Sequence, residues 1–508
     1  MGWNRDNAIK RITAVEESIP AIEIRDLQRE MNLANVTLPK PKRITGVHLY
    51  SAVDNEAAHV TDIFDVKDRE AARPPVRAVH LWQREVSRIV CTDMEAAKIH
   101  FQGTRLHALV YRPIGSIDEI AARAIVLARA IEITTAQAFN EVLGDDAGFS
   151  IAAGAAFGKA VATRSGSRGD SELLFIGDPA NRGAHAIKTG RSLRITRELA
   201  ELLDEHLGAA LVDDGDGHAR VDMTLEAVEA AVERYELGWS LDASRARIEA
   251  DLASTPLEKV GISKATTKID KDRLSLANSK LNDAASLFGD IDGFTALVEA
   301  ADEDADQERL VRRFHVTRAE LRHVATQDFE TLRIQYQGDR TQALRHMPHD
   351  DEGERALQAV RLAAAWQSTV EDTIPSVIGS EDDIHLAIGV DAGATVLSKL
   401  GERGNRDMIC LGRAVRLAAK IQSRLDGDEI GISGGVHKLL PDRVAKLFEW
   451  DAAKNCHIAK GLRYNDVLLA EEAEELDKAS GSNGDKPRIP ASGAAAGAVI
   501  LPRRRWHP

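Results

Sequence analysis

The chain has 508 residues, of which 44% are apolar, and its formal net charge is −14. At this length more than one domain is expected, because single cores rarely grow past about 300 residues. The acidic balance argues against direct nucleic-acid binding, which needs a basic face that displaces counterions.

The cysteines and the apolar segments indicate the cellular compartment in which the protein is expected. Cys91, Cys410 and Cys456 lack metal-type spacing, which is typical of a reducing cytoplasm and predicts neither a zinc site nor a disulfide framework. The start of the chain shows no signal-peptide pattern, and the apolar run at 494–501 is too short to span a bilayer. We therefore expect a cytoplasmic protein that does not bind membranes.

The first 40 residues predict a helical segment. Apolar residues recur there at helical spacing among charged ones, namely Ala21, Ile24, Leu27 and Met31. Pro39 and Pro41 then interrupt the pattern. We predict an N-terminal helical segment over residues 1–40.

An internal repeat organises the rest of the chain. Residues 98–109 align without gaps on residues 333–344, with shared Ile, Gln, Gly, Arg, Ala and Leu at an offset of 235 positions. The same offset relates Gly177 to Gly412. Two blocks that share one register indicate a duplicated unit.

The second copy carries two aspartates at the ends of strand-like runs. Asp290 ends an apolar run and precedes a Gly-Phe-Thr turn at 293–295. Asp339 follows Gly338 at the tip of a predicted hairpin. Two neighbouring carboxylates supply the hard oxygen ligands of a two-metal phosphoryl site, and the N–H groups of the turn can hold phosphate.

A third motif consists of a short strand, a glycine and a helix. Gly412 separates the strand from a helix whose Leu417 and Ile421 belong to an apolar stripe. Arg416 and Lys420 are four residues apart on that helix. They therefore share one face and could approach one anionic ligand.

These motifs, in this order, resemble the class III nucleotidyl cyclase domain. The pattern of that family is Phe-x-Asp-Ile-x-Gly-Phe-Thr, a Gly-Asp hairpin, Gly-x-x-Val-Asn-x-Ala-x-Arg on a helix, and a final Lys-Gly. The matching stretches are 288–295, 338–339, 412–420 with substitutions, and 460–461. The resemblance covers about residues 284–470, and it looks most like the Pycsar cyclases, bacterial phage-defence enzymes that make cyclic pyrimidine nucleotides.

The resemblance implies an α+β fold with two tandem ferredoxin-like (βαββαβ) cyclase domains packed as a pseudo-dimer. The domains would cover residues 41–210 and 283–472, joined by a charged, helical connector at 211–282. Residues 473–508 become rich in Ala, Gly, Ser and Pro, and they are predicted to be a disordered tail.

The resemblance also implies a nucleoside triphosphate substrate and two divalent metal ions, Mn²⁺ or Mg²⁺. The metal ligands would be Asp290, Asp339 and the backbone carbonyl of Ile291. The phosphates would lie against Gly293, Phe294 and Thr295.

The first copy lacks the metal carboxylates but keeps another part of the site. Ala52 aligns with Asp290 in a register shifted by a few residues, and Thr104 aligns with Asp339. Asn181 occupies the asparagine position of the family motif, and His185 occupies its arginine position one turn later.

Two pairs of side chains could therefore complete the site over the α-phosphate. Asn181 and His185 would do so within one chain, whereas Arg416 and Lys420 would come from a second chain in a homodimer. We favour the pair within one chain, which resembles the division of roles in animal adenylyl cyclases. Arg340 or Arg413 could replace a phosphate-contacting arginine that many relatives carry where this chain has Ala394.

The positions that would read the base match neither purine code of the family. They hold Gln335 and Ile409 in the second copy, and His100 and Leu174 in the first. Tyr336, with Phe101 at the matching place, would narrow the base pocket and favour a pyrimidine, and His100 is expected to contact the base.

The expected function is that of a uridylate cyclase, which converts UTP to cyclic UMP and pyrophosphate. A separate effector protein would read the product in anti-phage defence. The alternatives are a cytidylate or adenylate cyclase, or a catalytically silent nucleotide-binding sensor.

Overall fold

The computed structural model describes residues 2–54, 66, 68–144, 148–166, 172–190, 193–203, 207–301, 303–379 and 384–481. The strands are β1 (Arg25–Asp26), β2 (Lys42–Val53), β3 (Ala97–Gln102), β4 (Arg105–Val110), β5 (Ile151–Ser165), β6 (Glu172–Ile176), β7 (Leu193–Thr196), β8 (Ala210–Asp213), β9 (His218–Asp222), β10 (Ile262–Lys264), β11 (Ser279–Asp292), β12 (Leu332–Gln337), β13 (Arg340–Arg345), β14 (His385–Leu400), β15 (Asp407–Leu411), β16 (Glu429–Ile432), β17 (Glu449–Asp451) and β18 (Cys456–Lys460).

The helices are α1 (Arg5–Ser18), α2 (Arg69–Arg88), α3 (Ile117–Thr134), α4 (Asn140–Leu143), α5 (Asp178–Ala186), α6 (Arg197–Ala200), α7 (Leu225–Arg234), α8 (Leu241–Ser254), α9 (Phe294–Glu299), α10 (Asp304–His323), α11 (Glu352–Ser368), α12 (Ile374–Ile378), α13 (Arg413–Gln422), α14 (Gly434–Leu439), α15 (Asp442–Ala445) and α16 (Tyr464–Gly481). None of the helices described is long and apolar enough to cross a membrane.

Two sheets with the same strand order form the frame of the molecule. The first runs β3-β4-β2-β5-β7-β9-β8, and the second runs β12-β13-β11-β14-β16-β18-β17. In each sheet one short strand pairs in parallel with the long central strand, and one pairs with its antiparallel neighbour. This repetition confirms the α+β class and the two similar halves expected from the duplicated sequence.

The strand register shows which residues of the two halves are equivalent. Ala52 pairs with Ala152 in the first sheet, and Asp290 pairs with Ala387 in the second. Ala152 and Ala387 are separated by the repeat offset of 235 residues. Ala52 therefore occupies the place of Asp290, as the shifted alignment predicted.

The halves pack face to face and share their cores. Leu400 and Leu411 of the second half lie in the apolar cluster of the first, and Leu174 and Ile176 of the first lie in that of the second. The central strand β2 packs against α3, and β11 packs against α11, as expected when a sheet buries one face. The interface is consequently continuous with both hydrophobic cores.

Two reciprocal ion pairs also join the halves. Lys98 Nζ lies 2.7 Å from Asp407 Oδ2, and Arg333 Nη1 lies 2.6 Å from Glu172 Oε1. The second oxygen of Glu172 accepts the backbone N–H of Tyr336 at 2.9 Å. The pairs are related by the repeat offset. Each half therefore contributes one acidic side chain, which binds a basic side chain of the other half.

Several segments differ from the sequence expectations. The N-terminal helix is α1, and the helical pattern predicted over Ala21 to Met31 is wrong, because β1 pairs there with β2. The expected helical connector begins with β8 and β9, which belong to the first sheet, before α7 and α8. Part of the expected tail is the end of α16, and residues 482–508 lie outside the described part of the chain.

Close packing at Gly154 provides a test of how α5 is positioned. A Cβ on Gly154 would lie 2.4 Å from the Gly183 carbonyl oxygen and 2.7 Å from the Ile187 nitrogen. Gly154→Ala should therefore displace α5 and destabilise the protein by about 1–3 kcal/mol, as overpacking does. Thermal unfolding measures this, and Gly434→Ala is the control because its Cβ would meet no atom within 4 Å. Equal unfolding midpoints for both variants would contradict the tight packing.

Candidate active site between the two halves

A cavity of about 670 Å³ lies between the halves and is lined by both of them. The second half contributes Asp290, Ile291, Asp339 and the turn at 293–295. The first half contributes His100, Asn181 and His185. The structure thus brings together most of the residues that the sequence singled out, within a single chain.

The two aspartates reach the cavity from different strands. Asp290 lies near the end of β11, and Asp339 lies in the β12–β13 turn, where Gly338 adopts a positive φ of 72°. Burial raises the pKa of Asp290, and the Arg340 charge opposes that rise. Burial and the charge of Asp290 raise the pKa of Asp339 well above its usual value. The two carboxylates therefore repel each other in a buried place.

The donor set of this pair fits a divalent cation. Hard cations prefer carboxylate and carbonyl oxygens, and Asp290, Asp339 and Ile291 all line the cavity. No cluster of three or more His, Cys, Asp or Glu side chains suited to a metal occurs among the described residues. The protein would accordingly fill only part of a coordination shell and leave positions for water and phosphate oxygens.

Gln422 holds Asp290 in place by a hydrogen bond, and the charge of Arg340 acts on the same carboxylate. Gln422 Nε2, at the end of α13, donates to Asp290 Oδ2 at 3.0 Å. Arg340 Nη2 donates to the Ala419 carbonyl oxygen at 3.3 Å, and its guanidinium lies 4.3 Å from the centre of the Phe288 ring. The helix α13 therefore positions both a partner and a counter-charge for the carboxylate.

The Gly-Phe-Thr turn connects the halves at the cavity wall. Gly293 has a positive φ of 75° and precedes α9, where Phe294 packs its ring 4.9 Å from Phe314. Asn181 Nδ2 of the first half donates to Thr295 Oγ1 at 2.9 Å. The first N–H groups of a helix have no acceptor within the helix, so this turn offers donors to an anion beside Asn181.

His100 and His107 of the first half line the cavity, and His48 contacts His107. Gln102 Nε2 and His100 Nε2 are 2.8 Å apart, and His48 Nδ1 and His107 Nε2 are 3.0 Å apart. Tyr50 stacks on His107 with ring centres 4.3 Å apart. Burial lowers the pKa of His48 and of His100 to about 3. These rings are consequently neutral at physiological pH and act as hydrogen-bonding groups.

Tyr336 lies in the core and not at the cavity. Its side chain is 1% exposed, and its hydroxyl donates to the Arg318 carbonyl oxygen at 2.6 Å. The expectation that Tyr336 narrows the base pocket is therefore wrong, because its ring packs inside the second half and does not line the cavity.

Of the basic side chains considered for phosphate contacts, some lie on the surface and one lines the cavity. Arg416 and Lys420 are exposed on α13 and do not line the cavity. Arg413 is likewise exposed, whereas Arg340 lines the cavity. Of the two arginines considered as replacements at the phosphate, Arg340 is therefore the one within reach of a ligand there.

Sequence reasoning missed Gln422, Gln102 and Arg105 as site residues. Arg105 donates to the Ala184 carbonyl oxygen at 3.0 Å, as the arginine at the matching position of the other half does to its own helix. The identity of this arginine in both copies of the repeat was an available signal. No sequence pattern pointed to Gln422, because this residue reaches Asp290 only through the packing of α13 on β14.

The repulsion between the aspartates predicts a pH-dependent stability. Because the pKa of Asp339 is raised on folding, the folded state is stabilised below the usual pKa range of the group and loses that contribution as the pH rises through the raised value. Asp339→Asn removes one charge and should therefore raise the metal-free unfolding midpoint at about pH 8 more than at about pH 5.

Thermal unfolding in the presence of a chelator measures this difference. Asp283→Asn is a suitable control because Asp283 is an exposed carboxylate on the same strand as Asp290. If the Asp339→Asn protein unfolds no higher than the unsubstituted protein at either pH, the proposed repulsion is absent.

Comparison with known proteins agrees with this geometry. The family model of the adenylate and guanylate cyclase catalytic domain matches residues 276–468. A uridylate cyclase of Pseudomonas aeruginosa is 31% identical over 100% of this chain and 97% of its own length. A uridylate cyclase of a Rhizobium species is 24% identical over 88% of this chain and 92% of its own length.

A solved structure extends the similarity to the whole arrangement. The crystal structure of a class III adenylyl cyclase-like ATP-binding protein from Pseudomonas aeruginosa superposes with a TM-score of 0.80 at 29% identity, covering 92% of this chain and 99% of that one. The duplicated sheets, the cavity between them and the full-length relatives lead to one conclusion. The chain belongs to the class III nucleotidyl cyclases and is a nucleotidyl cyclase.

Proposed function

We propose that the protein converts UTP to 3′,5′-cyclic UMP and pyrophosphate. The observation that carries the proposal is that paired carboxylates of one half and the Asn181–His185 pair of the other line one cavity. Both full-length curated relatives are called uridylate cyclases, which supports uracil as the base. The cyclic product would serve as a second messenger in anti-phage defence and be read by a separate effector.

Asp290, Asp339 and the Ile291 carbonyl would hold two divalent ions, Mn²⁺ or Mg²⁺. Bound there, such ions lower the pKa of the ribose 3′-hydroxyl and neutralise charge on the phosphates. Gln422 keeps the Asp290 carboxylate oriented by its 3.0 Å hydrogen bond. Arg340 adds a fixed positive charge beside both aspartates.

The phosphate chain would lie between the turn at 293–295 and α5. The N–H groups of the turn can donate to the β- and γ-phosphates. The Asn181 amide, whose Nδ2 donates to Thr295 Oγ1 at 2.9 Å, would donate to the α-phosphate, where charge develops during attack of the hydroxyl. Donors fixed before the reaction stabilise such charge without reorganisation, and His185 from the next turn would act with Asn181.

The Gln102–His100 pair offers hydrogen-bonding groups that could read a pyrimidine, and the orientation of the Gln102 amide would decide between uracil and cytosine. The pKa of His100 is lowered to about 3, so the ring is neutral and carries one proton. When Gln102 Nε2 donates to His100 Nε2, that proton lies on Nδ1, and the Gln102 carbonyl oxygen stays an acceptor. An acceptor beside a donor complements the N3–H and carbonyl edge of uracil. The reversed amide would suit cytosine instead.

Turnover of the four ribonucleoside triphosphates tests the proposed reaction. In the presence of Mn²⁺ the full chain should form cyclic UMP from UTP, identified by mass spectrometry against the 3′,5′ standard. Asp290→Asn and Asp339→Asn should abolish turnover because each removes a metal ligand. Undiminished turnover in either variant, or the absence of any cyclic product, would contradict the proposal.

Substitutions on α5 and α13 test which helix completes the site. Asn181→Ala should lower kcat by about 100- to 1000-fold, the usual effect of removing a transition-state donor, and His185→Ala should also lower it. Arg416→Gln and Lys420→Gln should have little effect because both side chains lie on the surface of α13. The opposite pattern would mean that a second chain completes the site.

Replacement of Gln102 tests the reading of the base. Gln102→Leu should reduce the ratio of kcat/KM for UTP over CTP by about 10- to 100-fold, because the uracil N3–H loses its acceptor. The exposed Gln327→Leu serves as a control for loss of an amide. An unchanged ratio in Gln102→Leu would show that another group selects the base.

A further inference from the structure

A second cavity, of about 930 Å³, lies elsewhere between the two halves. Its walls contain equivalent residues from both copies of the repeat, including Lys98 with Arg333, Ile99 with Ile334, and Glu172 with Asp407. Matched positions can line one cavity only where the two copies face each other across their symmetry axis. We call this space the axial cavity. It differs from the active-site cavity, where Asp290 and Asn181 line the wall without their counterparts from the other half.

The charge of the axial cavity is predominantly positive. Its described lining includes six basic side chains, Lys98, Arg164, Lys271, Arg333, Lys399 and Arg406, against three acidic ones, Glu172, Asp272 and Asp407. Glu172, Asp407 and Asp272 pair with Arg333, Lys98 and Lys399, respectively. The lining therefore keeps an excess of three positive charges. A cavity with this surplus attracts an anion.

The floor of the axial cavity combines apolar surface with a buried amide. Ile99, Ile334, Leu173 and Met408 contribute apolar side chains. Gln335 is 8% exposed, and its Nε2 has no hydrogen-bond partner among the described residues. A buried donor left without an acceptor costs free energy. A ligand with an apolar or planar body and an acceptor group would satisfy it.

We propose that the axial cavity binds an organic phosphate as an effector. The basic side chains would receive the phosphate, the apolar floor would receive the body, and Gln335 Nε2 would donate to a carbonyl or ring nitrogen. The volume lies within the usual range of small-molecule sites, about 300–1,000 Å³. Pockets of this kind, with apolar walls and a few placed polar groups, are typical of ligand sites.

The two cavities share part of one wall, which gives the effector a route to the active site. Ile99, His100 and Leu173 line both of them. An occupant of the axial cavity would therefore contact the strand that carries His100 and Gln102. This regulatory step rests on the proposed function, because it acts on base reading, whereas binding in the axial cavity does not depend on it.

Binding without turnover tests the axial cavity independently of the reaction. Calorimetric titration of the full chain in EDTA would use AMP, UMP and cyclic UMP as probes, with inorganic phosphate for comparison. We expect at least one organic phosphate to bind. The double variant Arg164→Gln/Arg406→Gln should weaken that binding at least about 10-fold, since it removes two charges from the cavity.

Matched variants separate this site from the active site. Arg403→Gln, which removes an exposed arginine outside the axial lining, should leave binding unchanged, and so should Asn181→Ala. Gln335→Leu should weaken binding of the organic phosphates but not of inorganic phosphate. Lys271→Gln is a second charge variant if the double variant unfolds at a lower temperature.

Two results would overturn the proposal. One is binding that Asn181→Ala weakens and the axial variants do not, which would place the ligand in the active-site cavity. The other is no binding of any probe below about 1 mM, an affinity near 4 kcal/mol. Neither result would decide whether the protein forms cyclic UMP, because the turnover assay tests that proposal separately.

Discussion

The rest of the structure depends on how the two halves are docked, and two reciprocal ion pairs orient that contact. Glu172 and Asp407 each reach across the interface to a basic side chain, 2.6 and 2.7 Å away, and each also accepts a backbone N–H of the opposite half. Charge-assisted hydrogen bonds of this kind are strong and directional. They help to orient the facing strands, and the shared apolar cores hold the halves together, so that α5 meets the turn before α9.

Divergence after duplication explains why the pair of aspartates occurs in only one of the two halves. The frame of each half is the same, down to Arg105 and Arg340, which donate to equivalent carbonyl oxygens of α5 and α13. The chemistry has diverged, because alanine and threonine stand in the first half where the second has Asp290 and Asp339. The carboxylates and the Asn181 amide thus lie in different halves, and only docking brings them together.

The sequence predicted the elements that depend on local motifs and on the repeat. Asp290 and Asn181 were found because each belongs to a short pattern with fixed spacing, and the offset between copies placed them on equivalent frames. The segment around Ile24 was misjudged because pairing of β1 with β2 overrides its helical periodicity. Tyr336 and Gln422 depend on which face of a strand or helix meets a neighbour, which no single-chain pattern specifies.

The active site also contains an unfavourable interaction that acts within the second half. Asp290 and Asp339 repel each other in the buried arrangement, and Arg340 offsets that repulsion only in part. Buried charges that lack full compensation destabilise the fold. Both aspartates belong to the second half, so the packing within that half must stabilise the fold by more than their repulsion destabilises it. A ligand that contacts Asp290 and Asn181 together would favour the docked arrangement, because these side chains lie in different halves and line one cavity.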